Sequence, residues 1–244
     1  MTNVQTLDAI RLFLCCTCSY SLHLALSATY MGITRMTKPA VHISNMTGKL
    51  DGLRAISTNT RTNTYCVEQH ERAVEHDTDN ICGKCYSHAM LKGFRKNMEP
   101  ALQRNSDLLS SRPLEPYEIP RIMDAVFRFD AHGELINMQH MENLVAIVND
   151  NPWCTFALWT KRTDIVMRWL RDNAKPDNLI LIYSNPKVSH VMSKPPKGFD
   201  KTFNNVLEHE HVDKQNCTGQ QCKDCRICYT INDIFTVVEK VKKY

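Results

Sequence analysis

The chain has 244 residues, 43% of them hydrophobic and 23% charged, which is enough to bury one sizeable core and excludes a disordered or collagen-like protein. Its formal charge of +4 comes from Lys and Arg that are scattered rather than clustered, so no nucleic-acid footprint is evident. Eleven cysteines are many for this length, and all but Cys154 fall in close groups, the pattern that metal chelation needs and disulfide frameworks avoid.

In chain order, residues 12–33 come first and carry no formal charge, a run long enough to cross a bilayer as a helix. Its many Ser, Thr, Cys and Tyr residues, with His23 inside and only Arg11 as a positive flank, argue against an anchor or a signal. Residues 1–36 therefore read as an apolar extension and residues 37–244 as one α/β domain in the cytoplasm, with no membrane partner unless residues 12–33 insert. Cys15, Cys16 and Cys18 belong to the extension, where adjacent thiols chelate poorly. A secreted chain is the rival reading, in which the remaining eight cysteines would pair as four disulfides.

Residues 37–65 read as loop with one short strand at 53–57, leading into Cys66. From Ser87, the spacing of Met90, Leu91, Phe94 and Met98 predicts a helix that runs past Pro100 toward Leu109. Pro113, Pro116 and Pro120 mark a linker. Strand and helix then alternate. AVFRFD (125–130), CTFALWT (154–160) and NLILIY (178–183) read as strands, separated by helical stripes on Met141, Leu144, Val145 and Val148 and on Ile165, Val166, Trp169 and Leu170. DIFTVVEKV (233–241) reads as a last strand. This alternation predicts a mostly parallel sheet, either open or part of a barrel, closed off by a cysteine-rich C-terminal knuckle.

That knuckle, CTGQQCKDCRIC, places Cys217, Cys222, Cys225 and Cys228 at Cx4CxxCxxC spacing. Thiolates so packed suit an iron-sulfur cluster or zinc, and the shared middle cysteine favours a ferredoxin-type run over two separate zinc knuckles. Cys66, Cys82 and Cys85 offer three more thiols and would leave one iron open. The spacing admits two clusters, or one four-thiol set drawn from both groups. Cys154 reads as a buried small hydrophobe, and His209 and His211 as surface residues.

Ligands of parallel sheets sit at the carboxyl ends of strands. RFDAHGEL puts Asp130, His132 and Glu134 at such an end, with Gly133 letting the backbone approach a ligand. Asp130 could accept from an amino group, His132 could move a proton, and Lys161 and Arg162 at the next strand end could meet a carboxylate or phosphate.

ISNMTGKLDG (43–52), ICGKCYSHA (81–89), FRFDAHGEL (127–135), FALWTKR (156–162) and CKDCRICY (222–229), taken in this order, resemble the phage gene product 88 domain family. That family looks like a reduced relative of radical S-adenosylmethionine (SAM) proteins. The resemblance covers residues 37–243, and its CxxCY and CxxCxxC elements are the most specific. It implies a [4Fe-4S] cluster on the cysteines named above, with Gly133 and Glu134 where a glycine and an acid would receive the amino group of SAM. The chain lacks the tight CxxxCxxC of most radical SAM enzymes and has a long gap from Cys66 to Cys82, so the resemblance carries a cluster further than it carries catalysis. Electron transfer without catalysis, or a zinc-stabilised interaction module, is the alternative. No substrate or partner, small molecule or protein, is legible in the residues.

Overall fold

The computed structural model describes residues 40–76, 78–207, 209 and 215–241. The expected apolar extension, with Cys15, Cys16 and Cys18, and His211 fall outside those residues. Pro39–Tyr244 form one compact unit.

Seven strands lie in sequence order across one sheet: β1 (Ser44–Asn45), β2 (Arg54–Ile56), β3 (Val126–Phe129), β4 (Thr155–Thr160), β5 (Leu179–Ser184), β6 (Lys201–Val206) and β7 (Thr236–Lys240). The first pair is antiparallel and every later pair is parallel. β1 and β7 end the order without meeting, so the sheet is open and not a barrel. The mostly parallel sheet expected from alternating strands and helices is observed, in its open form.

Helices α1 (Thr64–Glu75), α2 (Tyr86–Lys92) and α3 (Glu99–Ser111) fall between β2 and β3, followed by α4 (Met138–Asp150), α5 (Thr163–Asp172) and the one-turn α6 (Cys222–Cys225). The helix expected from Ser87 to Leu109 is two helices. Gly93 ends α2 with its N–H on the carbonyls of Ala89 and Met90, and Pro100 starts α3 in the first turn, where its missing donor costs nothing. The stretch read as loop before Cys66 runs two residues into α1, which is capped by Asn63, whose side chain accepts from the Cys66 amide.

Side chains alternate across each strand. Phe127, Phe129, Phe156, Leu158, Leu179 and Leu181 face Leu109, Met141, Leu144, Val166 and Trp169 in the larger core. Phe127, Phe129 and Phe156 are fully buried, and burial of each contributes about 2–3 kcal/mol. Val126, Ala157, Trp159, Ile180 and Ile182 face the other way, where Leu53, Tyr229 and the half-buried Cys222 and Cys228 cover them. The C-terminal knuckle is thus a lid on the second face of the sheet. β6 went unpredicted because three of its four buried residues, Lys201, Thr202 and Asn204, are polar, while Phe203 is only half-buried. Lys201 Nζ reaches Asn232 Oδ1 at 2.8 Å and the Ile234 carbonyl at 2.7 Å, which satisfies the buried ammonium.

Candidate functional site

The carboxyl ends of β2 and β3 are laced together. Thr58 N donates to the His132 carbonyl at 3.1 Å, Asp130 N to the Ile56 carbonyl at 2.9 Å, and Gly133 N to Thr60 Oγ1 at 2.9 Å. Gly133 has φ +86°, and a Cβ there would collide with the side chain and backbone of Thr58. The close approach that this glycine permits is therefore to Thr58. The segment bearing the first cysteines is fastened to the same loop: Asn63 Nδ2 donates to the Glu134 carbonyl at 2.8 Å, Tyr86 donates to the Ala131 carbonyl, and Ser87 Oγ pairs with His132 Nδ1 at 2.8 Å. Burial lowers the His132 pKa to about 4, so the ring is neutral.

Both cysteine groups open on one cavity of about 480 Å³. Cys66, Cys82 and Cys85 line it at the strand ends, and Cys217, Cys222 and Cys228 line it under the lid. Cys225 is not in the wall, and its sulfur faces Gln220 Nε2 at 3.5 Å. All eight described cysteines are free. Cys154 is the buried one, beneath β4 and away from the cavity. The two groups come from different segments, Cys66 from α1 with Cys82 and Cys85 from the turn before α2, and Cys217, Cys222 and Cys228 from the knuckle. Burial pushes Cys66, Cys82, Cys217 and Cys222 up, and Cys228 to about 12, so these sulfurs stay protonated unless a cation compensates.

A lysine stands in each group. Burial opposes the charge on Lys161, but Cys82, Glu134, Cys85 and Cys66 raise its pKa above the ordinary range. Because burial keeps those thiols neutral, Glu134 is the partner that holds Lys161 protonated, with Nζ 4.0 Å from Oε2. In the second group, burial opposes the charge on Lys49 while Glu239 raises its pKa; Nζ pairs with Glu239 and donates to Cys217 Sγ at 3.4 Å.

The polar residues expected to grip a cofactor divide. Glu134 is 3% exposed and already engaged: Oε1 accepts from the Leu135 amide at 2.9 Å and from the Thr160 hydroxyl, Oε2 from the Lys161 amide at 2.8 Å. Arg162 is not in the cavity wall; its guanidinium holds Asp164, at 2.9 and 2.7 Å, and the carbonyls of Leu135 and Ile136. Gly133 and Asp130 do line the cavity. Asp130 takes φ 52°, accepts from Thr58 Oγ1 at 3.4 Å through Oδ1, and has no partner for Oδ2.

Arg128 escaped the sequence reading. It lies on the second face of β3, two residues before Asp130, and stacks on Trp159 with Cζ 3.9 Å from the ring centre. The VFRFD alternation was the available signal, since it puts Arg128 and Asp130 together on the face opposite Phe127 and Phe129.

Soft thiols, drawn into two groups that each face a cation, match the donor chemistry of an iron-sulfur cluster or of zinc. Among the described residues, no three or more His, Cys, Asp or Glu side chains stand in a group that could hold a metal ion as they are placed. The donor set fits such a centre in kind, and the sulfurs of each group would have to draw together around it.

An open, mostly parallel α/β sheet whose strand ends and second face enclose a thiol-lined cavity defines the class of this protein. The gene product 88 family model matches residues 63–231, more than half of the chain and a span that includes all seven cysteines of the two groups. The chain belongs to the gene product 88 family. No curated protein and no solved structure matches it. No helix among the described residues is long and apolar enough to cross a membrane.

Proposed function

We propose that this protein binds iron-sulfur clusters in two separate centres, one on Cys66, Cys82 and Cys85 and the other on Cys217, Cys222, Cys225 and Cys228, each of [4Fe-4S] type. The observation that carries the reading is that six of the seven thiols line one cavity from two separate segments, Cys66, Cys82 and Cys85 at the strand ends and Cys217, Cys222 and Cys228 under the knuckle. When bound, such centres supply one-electron transfer, and a centre with three thiol ligands keeps one iron open to a further ligand. Lys161 and Lys49 offset the charge that thiolates acquire on metal binding, and without a metal they face protonated sulfurs. Asn63 and Asn80 order the first group, accepting from the amides of Cys66 at 3.4 Å and Cys82 at 2.9 Å. Gln220, bonded to the Asn216 carbonyl at 2.8 Å, orders the second.

The radical SAM-like extension of this reading gains nothing from Glu134 or Arg162, whose polar atoms are taken up within the fold. Cluster binding for electron transfer is the function the site supports best, in a cytosol that keeps the thiols reduced.

Iron and acid-labile sulfide, measured in protein purified without oxygen, test the two-centre form. The Cys82→Ser/Cys85→Ser variant is expected to lose about half of the iron and keep the signal of the second centre, and Cys222→Ser/Cys228→Ser the reverse. Loss of all iron from both variants would mean one pooled set, and wild-type protein without iron would end the cluster reading altogether.

A further inference from the structure

Six buried side-chain polar atoms among the described residues have no hydrogen-bond partner, and four of them belong to residues lining the cavity: Arg128 Nε, Asp130 Oδ2, Trp159 Nε1 and Tyr229 Oη. Each such group, left unpaired, costs about 1–3 kcal/mol, so four in one wall mark a surface completed by something outside the chain. They are contiguous. The Arg128 guanidinium lies over Trp159, and the Trp159 and Tyr229 rings are 5.6 Å apart. Arg128 lies in β3 and Asp130 immediately follows the end of that strand, and both line the cavity. Asp130 is 6% exposed and lines the cavity.

The chemistry of the four atoms is asymmetric. Arg128, Trp159 and Tyr229 offer donors, and Arg128 brings a full positive charge, whereas Asp130 offers an oxygen on the far side. A guanidinium flattened on an aromatic face presents its edge, the geometry that binds a carboxylate. We propose that the second face of the sheet, between the two thiol groups, is a subsite for a small α-amino or α-hydroxy carboxylate, its carboxylate on Arg128, Trp159 and Tyr229 and its neighbouring N–H or O–H on Asp130. This ligand class goes beyond cluster binding and does not depend on it, because none of the four residues supplies a thiol.

Ligand-observed NMR on the full chain tests the subsite with four probes: glycine, lactate, propionate and ethylamine. A head group of five or six heavy atoms binds with a Kd of about 1 mM at ordinary ligand efficiency. Glycine and lactate are expected to bind, propionate about tenfold more weakly, and ethylamine not at all. Tyr229→Phe, which removes the hydroxyl beside the Arg128 guanidinium and leaves the ring packing, is expected to weaken the three carboxylates about tenfold alike. Asp130→Asn is expected to abolish the preference for glycine and lactate over propionate while leaving propionate unchanged, and Arg128→Gln to remove all binding. Should Arg128→Gln fail to fold, Tyr229→Phe and Asp130→Asn carry the test alone. No carboxylate binding to the wild-type chain, or binding indifferent to both variants, overturns the proposal. Iron content of the same samples reports on the cluster reading separately.

Discussion

At Asp130 the backbone turns through the left-handed region with φ 52°, and one carboxyl oxygen is sealed from solvent without a partner. Burial and then the Glu134 charge push its pKa well above the ordinary carboxylate value. The unfolded chain ionises this group above about pH 3.9, whereas the folded chain resists ionisation, so the folded state binds more protons and loses stability as pH rises. Asp130→Asn removes that cost, keeps an oxygen for Thr58 Oγ1, and tolerates the left-handed backbone. The variant is expected to be more stable than wild type by about 1–2 kcal/mol in urea at pH 7. A destabilised variant would show instead that the carboxyl serves the fold. Glu134 is the contrast, a carboxylate of similar burial whose oxygens are filled by Thr160, Leu135 and Lys161, so that it positions Lys161 and holds nothing from outside. Sequence spacing named both acids alike, because what separates them is partner supply from β4, a strand 26 residues downstream.

At the scale of elements, one asparagine ties the first thiol group to the sheet. Asn63 caps α1 through the Cys66 amide and donates to the Glu134 carbonyl at 2.8 Å. Asn63→Ala is expected to cost about 1–2 kcal/mol from the lost cap and the carbonyl left buried. It should also speed iron loss to a chelator from the first centre and leave the second unaffected; equal loss from both would contradict separate anchoring. The parallel strands were legible because VFRF, TFALWT and LILIYS carry long apolar runs that read the same whatever packs on them. α1 was not, since TYCVEQHERAVE buries only Ala73 and shows no apolar stripe. β6 was hidden by Lys201 and Asn204, whose burial depends on Asn232, Ile234 and Asn185 from distant segments. The thiol spacings were plain in the sequence, but their facing across one cavity follows from the knuckle folding onto Trp159, a long-range packing event that local pattern does not encode.

For the whole molecule, buried neutral histidines set the acid limit. Burial lowers His132 to about 4 and His140 to about 3, while both would titrate near 6.5 in the unfolded chain. Below about pH 6.5 the unfolded state binds more protons, so stability falls as pH drops toward 4, by on the order of 3 kcal/mol for each ring. Asp130 works in the opposite direction and offsets part of this, so the acid loss is expected to be steeper in Asp130→Asn. Thermal melts from pH 7 to pH 4 check both statements; a midpoint that does not move would contradict them. The two thiol groups, the two lysines and the donor-rich second face all belong to one cavity, which the sheet floors and the knuckle covers. The most direct measurement is the iron, sulfide and zinc content of wild-type protein purified without oxygen. Two [4Fe-4S] centres predict about eight irons and eight sulfides per chain with no zinc. Zinc without sulfide, or no metal at all, would contradict the account.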